Sequence, residues 1–237
     1  MNSFGSTAWS SIGKKVITGI TGFCLIGFII VHLLGNLTIF IGPDAFNHYA
    51  HFLESLIHGW FIYAFEAGLI AIFVFHMVSA FTVAWTDKRA ARKEGYKYAK
   101  NAGGTSRKTL ASRTMIYGGA LIIIFVIGHV WTFKFGDHEI LPGGVKNLYK
   151  TVAIAFQQPA LVGWYVLVMA VLGFHLRHGF WSAFQSLGWT NDRWLPLLVN
   201  VARVFAWLIA IAFIGLPIYM YFFVDPASAS AAVSGGH

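Results

Sequence analysis

The residues Met115–Phe133, MIYGGALIIIFVIGHVWTF, bound most tightly what this chain can become: nineteen residues without Asp, Glu, Lys or Arg, interrupted by one imidazole, His129. A run this long and apolar matches the hydrocarbon thickness of a bilayer, and only a helix satisfies all its backbone N–H and C=O groups there. At a rise of 1.5 Å per residue, His129 sits roughly 21 Å from the inner end of that span. An unpartnered polar group in hydrocarbon costs several kcal/mol, so both ring nitrogens need partners. Three other apolar runs carry a histidine in the same position of need.

Hydrophobic residues make up 57% of the 237-residue chain and charged residues 11%, against about 25% charged in ordinary soluble domains. The fold class expected is therefore an all-α membrane protein with five transmembrane helices. Cys24 is the sole cysteine, so no disulfide framework exists. The net charge of +8 would point to nucleic acid in a soluble protein, but its placement excludes that reading. Nine Lys/Arg fall between Asp87 and Arg113, and Lys14 and Lys15 flank the first apolar run. Basic residues in short connections mark the cytoplasmic side. The same stretch can also meet acidic lipid or an acidic face of a soluble partner.

Residues 1–15 read as a cytoplasmic segment, followed by a single membrane domain over 16–224 and a flexible outer tail at 225–237. The spans expected are 16–42, 59–86, 113–135, 159–188 and 194–224. The first ends at Gly42-Pro43 and lacks a small-residue cleavage site, which excludes a signal peptide. The connections at 44–58 and 134–158 lie outside, and Pro159 fits the first turn of the fourth span. This topology leaves the N-terminus in the cytoplasm and the C-terminus outside.

The four histidines fall on four different spans. His32 and His129 lie on helices running outward, about 24 and 21 Å from the inner surface, whereas His76 and His175 lie on returning helices about 15 and 20 Å above it. Each depth therefore holds one pair. The spacing from His32 to His76 is 44 residues and from His129 to His175 is 46, consistent with a duplicated hairpin. Two imidazole pairs on separate helices match the needs of two bis-histidine hemes, each iron taking one neutral imidazole per face. Zinc fits poorly, because no Cys, Asp or further histidine completes four ligands at either level. Gly27, Gly35, Gly128, Gly173 and Gly179 lie near these histidines and would admit either a flat macrocycle or a close neighbouring helix.

SSIGKK followed by TG, HLLGN in the first span, the isolated His76, GHVW in the third span and FHLRHGFWSAF in the fourth resemble the single-chain diheme cytochrome b anchor of succinate:quinone oxidoreductases, over residues 8–224. The resemblance implies that His32 and His129 ligate a distal heme and His76 and His175 a proximal one, with His178 the alternative to His175. It implies a multi-pass subunit of the cell's inner membrane, carrying an iron-sulfur subunit and an FAD flavoprotein on its cytoplasmic face. Its substrate would be a quinone, menaquinone by family type. Such a subunit exchanges electrons with the quinone, while the dicarboxylate chemistry lies in the flavoprotein.

A quinone needs hydrogen-bond donors and a nearby proton source. Ser11, Lys14 and Arg113 stand near the inner surface; Glu54, His58 and Glu66 stand near the outer one. Glu66 lies within a span, where a carboxylate must be paired or protonated, and is a candidate for proton transfer. Lys134 and Arg177 are candidates to hold heme propionates, or else snorkelling side chains. Two competing readings keep part of this picture: a heme-free transporter with a histidine relay, and a diheme anchor for a hydrogenase or formate dehydrogenase.

Overall fold

The computed structural model describes residues 9–87, 110–227 and 229, with only the backbone of Leu110 and Arg113. The expectations placed on residues 1–8, on most of the basic connection, on the Arg113 side chain and on the tail beyond 227 other than Ala229 lie outside the described residues.

The order of elements is α1 (Ser11–Leu37), α2 (Pro43–Ser55), α3 (Trp60–Thr82), α4 (Leu110–Lys134), a hairpin of β1 (Ile140–Leu141) and β2 (Val145–Lys146), α5 (Leu148–Ala155), α6 (Pro159–Ser186) and α7 (Leu195–Phe223). Five helices, α1, α3, α4, α6 and α7, are long and apolar enough to cross a membrane. The chain is an all-α membrane protein with five such spans. Ile30, Val31, Leu34, Ile70, Ile124 and Leu208 are exposed on these helices, an arrangement suited to lipid rather than water as the surrounding medium. Buried positions are instead often small: Ala202, Ala206 and Ala210 recur every fourth residue of α7 and are fully covered. Small residues at helical spacing let helices approach closely where no hydrophobic force draws them together.

Local chemistry explains the ends. The Gly13 N–H donates to Ser10 Oγ at 3.1 Å, capping α1 ahead of the basic pair Lys14-Lys15, so the helix begins before the apolar run itself. Gly42, at φ 136°, breaks the helical path in a conformation closed to other residues, and Pro43 restarts it as α2. The connection following the first span is thus itself helical. Gly188, at φ 73°, closes α6, with the Trp189 N–H donating back to the Phe184 carbonyl at 2.9 Å. Asn191 Oδ1 accepts from the N–H groups of Arg193 and Trp194 ahead of α7.

The described residues form two compact units, each drawing a part of every span. One lies within Met1–Gly27, Gly68–Ala120 and Gly173–Trp207, the other within Phe28–Ala67, Leu121–Leu172 and Leu208–His237. The second also holds α2, the hairpin and α5, tied by a buried amide network. Asn147 Oδ1 accepts from Asn47 Nδ2 at 3.1 Å and caps α5 through the Lys150 N–H at 3.2 Å, while Asn47 Oδ1 accepts from the Tyr149 N–H at 2.9 Å. Asn147 Nδ2 donates to Glu139 at 2.8 Å. Gly35 belongs to the same assembly: a Cβ there would stand 2.5 Å from the Tyr49 ring, so this glycine serves the packing of α2 rather than a cofactor. Replacing Asn147 by alanine strands buried amide groups and is expected to cost about 2 kcal/mol, read as a lower thermal midpoint in detergent with the helical circular dichroism of the folded state unchanged.

Candidate histidine sites

Both histidine pairs expected from depth face each other, each pair within one unit. In the first unit the His76 and His175 ring centres are 6.4 Å apart with planes at 68°. In the second, His32 and His129 are 5.8 Å apart with planes at 88°. Two imidazoles on opposite sides of one metal, each nitrogen roughly 2.0 Å from it and each ring centre roughly 1.2 Å behind its nitrogen, stand about 6.4 Å apart. The first pair meets that spacing and the second is slightly tighter. Among the described residues no group of three or more His, Cys, Asp or Glu gathers as a conventional metal site, so any metal here would take two protein ligands and its remaining ones from elsewhere.

The His76 ring lies against α1. Its Nδ1 is 3.2 Å from the Thr18 carbonyl and 3.2 Å from Thr21 Oγ1, and a Cβ at Gly22 would approach its Cε1 to 3.3 Å. Ser79, one turn beyond His76 and fully buried, donates to the His76 carbonyl at 3.1 Å and meets Thr18 Oγ1 at 2.7 Å. Opposite, the His175 ring faces Gly119, where a Cβ would stand 3.6 Å from Cε1. Both rings thus lie where a neighbouring helix carries no side chain. His178, one turn after His175, has its ring edge-on to Trp181 at 5.1 Å.

In the second unit aromatic rings surround the pair. Phe28 stacks on His32 at 5.3 Å and Phe125 on His129 at 5.5 Å, with Phe133 and Phe213 adjoining. Tyr165 Oη lies 3.0 Å from His129 Nδ1. Asn36 Nδ2 donates to the His32 carbonyl at 2.8 Å and lies 3.3 Å from Nε2 of the same residue. Gly27 and Gly128 open onto space, with no atom within 4 Å of where a Cβ would stand, and so does Gly179.

The remaining candidates fall around these pairs. Lys14 is buried in the first turn of α1, while Ser11 begins that helix exposed. Arg177 is half-buried on α6. Glu66 and Lys134 form an ion pair between α3 and α4, and Glu54 pairs with Lys146 at 2.9 Å. His58 and Ile57 both adopt left-handed backbone, φ 53° and 50°, in the turn before α3. Thr18, Thr21, Gly22, Ser79, Gly119, Asn36 and Tyr165 were not anticipated as site residues. Thr18, Thr21 and Gly22 carry a legible signal, a small-polar stripe at helical spacing in ITGITG, and Ser79 stands one turn from His76; Tyr165 carries none.

The fold and these sites define a multi-pass helical membrane protein with two half-buried, facing imidazole pairs. The chain is similar to the succinate dehydrogenase cytochrome b558 subunit of Bacillus subtilis (strain 168), 29% identical over 164 residues that cover 69% of this chain and 73% of that subunit. That similarity bears out the resemblance to the cytochrome b anchors of succinate:quinone oxidoreductases. No family model and no solved structure matches the chain.

The ion pair makes its own prediction. Lys134→Glu sets two carboxylates together and is expected to lower the thermal midpoint in detergent, and the double exchange with Glu66→Lys to recover most of the loss. The half-exposed pair is worth at most about 1 kcal/mol, so the double-mutant cycle, not either single variant, is the decisive measurement.

Proposed function

We propose that this chain is the cytochrome b membrane subunit of a succinate dehydrogenase or fumarate reductase complex, and that it holds two b hemes, one between His32 and His129 and one between His76 and His175. The observation that carries the reading is the pair of facing imidazoles in each unit at a spacing that admits one iron; the similarity to a succinate dehydrogenase cytochrome b subunit supports it independently. When bound, each heme supplies a one-electron carrier whose iron alternates between ferric and ferrous.

The residues of the chain prepare each place for that group. Gly22 and Gly119 keep neighbouring side chains clear of the His76 and His175 rings, and Phe28, Phe125, Phe133 and Phe213 exclude water from His32 and His129. A dry surrounding and fixed ligand orientation are the means by which a protein tunes such a carrier. His175 is the ligand opposite His76 in this reading, because its ring faces that partner at 6.4 Å, while the His178 ring meets Trp181.

In this reading the chain crosses the cell's inner (cytoplasmic) membrane with the basic sequence around 88–113 and the N-terminus in the cytoplasm and the C-terminus outside, as the Lys/Arg distribution supports. The basic face there receives an iron-sulfur subunit, which in turn carries an FAD flavoprotein where succinate and fumarate interconvert. Electrons pass between the iron-sulfur subunit and a membrane quinone, menaquinone in this reading. Lys14, Ser11 and Arg113 at the cytoplasmic end are the groups available to a quinone carbonyl or a heme propionate, with Arg177 a second cation for propionate. Glu66 is held next to Lys134 and is the carboxylate positioned to take up or release a proton when quinone is turned over at the outer side.

The purified protein is expected to show a b-type reduced-minus-oxidised spectrum and two hemes per chain by pyridine hemochrome assay. His32→Ala and His76→Ala should each leave one heme, with different residual potentials. A colourless protein, or one that keeps both hemes in both variants, overturns the assignment.

A further inference from the structure

We infer that Thr21, together with the main-chain carbonyl of Thr18, is a positioning device for His76: it fixes which ring nitrogen is protonated, presents Nε2 as the metal-binding atom, and sets the electron richness of that ligand. This role rests on the proposed heme between His76 and His175.

Counting protons assigns the tautomer. Nδ1 of His76 has two neighbours at 3.2 Å, the Thr18 carbonyl and Thr21 Oγ1. A carbonyl can only accept. The Thr21 hydroxyl has one proton, and its shortest contact is the Ile17 carbonyl at 2.7 Å, one turn back on α1. Its oxygen therefore faces Nδ1 as an acceptor. Two acceptors and no donor surround Nδ1, so Nδ1 carries the proton and shares it between them. In a neutral imidazole that leaves the lone pair on Nε2. Gly22 leaves the ring the room to approach α1, since a Cβ at that position would press on Cε1 at 3.3 Å.

The anchoring continues outward. Thr18 Oγ1 reaches both the Lys14 carbonyl at 2.8 Å and Ser79 Oγ at 2.7 Å, and Ser79 donates to the His76 carbonyl. The α1 backbone that offers the acceptor and the α3 backbone that carries the ligand are thus tied together beside the ring. An imidazole that donates from its remote nitrogen is a more basic ligand, and a more basic ligand favours ferric iron. The pair formed by His32 and His129 differs: His129 Nδ1 meets a phenol, and among the described residues no carbonyl contact accompanies it.

The test uses the purified holoprotein with Thr21→Val, which keeps shape and removes the hydroxyl acceptor while leaving the Thr18 carbonyl, and Thr21→Ser, which restores the hydroxyl. Redox titration followed optically identifies the wave that vanishes in His76→Ala as belonging to this heme. Thr21→Val is expected to raise the midpoint potential of that wave and leave the other in place, with the heme retained roughly 10- to 100-fold less tightly; Thr21→Ser returns both quantities to the original. If Thr21→Val loses this heme outright, its retention in Thr21→Ser still supports the role of the acceptor. An unchanged potential in Thr21→Val, or equal loss in both variants, overturns the inference. A starting protein without heme overturns the function proposed above instead.

Discussion

The organisation of this molecule depends on the cost of placing an imidazole in hydrocarbon. Each ring has two polar nitrogens, and neither can be left to lipid. The helices answer this by turning the four rings toward each other in twos and, for two of them, by setting partners on an adjacent span beside Nδ1: a carbonyl and a hydroxyl for His76, a phenol for His129. The glycines opposite the His76 and His175 rings follow from the same demand, because a ring that must reach a backbone carbonyl on another helix needs that helix to come close.

The two units meet this requirement differently. Around His76 the partners are small and polar, drawn from one face of α1 and from Ser79 on α3. Around His32 and His129 they are large and aromatic, with Tyr165 supplying a hydroxyl. If the hemes proposed here are bound, the iron centres sit in unlike surroundings, and hydrogen bonding and burial are the terms that separate the potentials of otherwise identical b hemes. The second unit also carries α2, the hairpin and α5, where Asn47 and Asn147 join α2 to α5 by side-chain amide hydrogen bonds buried from water.

Charge obeys the same constraint. Glu66, the one acidic residue within the apolar run of α3, stands beside Lys134, so its charge is met by a cation that belongs to a different span. That contact takes Lys134 away from a role reserved for propionate alone and ties the acidic residue to the end of α4. It explains how a carboxylate persists in a helix that lipid surrounds on much of its face.

Much was decided by the chain as written. Five apolar runs long enough to cross a bilayer dictate five helices, because nothing else satisfies the backbone there, and Gly42-Pro43 and Gln158-Pro159 mark a stop and a start by their own conformational limits. The pairing of His32 with His129 and His76 with His175 was legible as well, since the rise of a helix converts residue number into depth. Tertiary structure alone decided the rest. Helical rise says nothing about rotation, so only packing could turn His175 toward His76, bring Tyr165 to His129, and set Glu66 against Lys134 across 68 residues of chain. The helical connection α2 was hidden for a related reason, since it packs on the distant β2 and α5, and local preference would not choose the positive φ that Ile57, a β-branched residue, adopts.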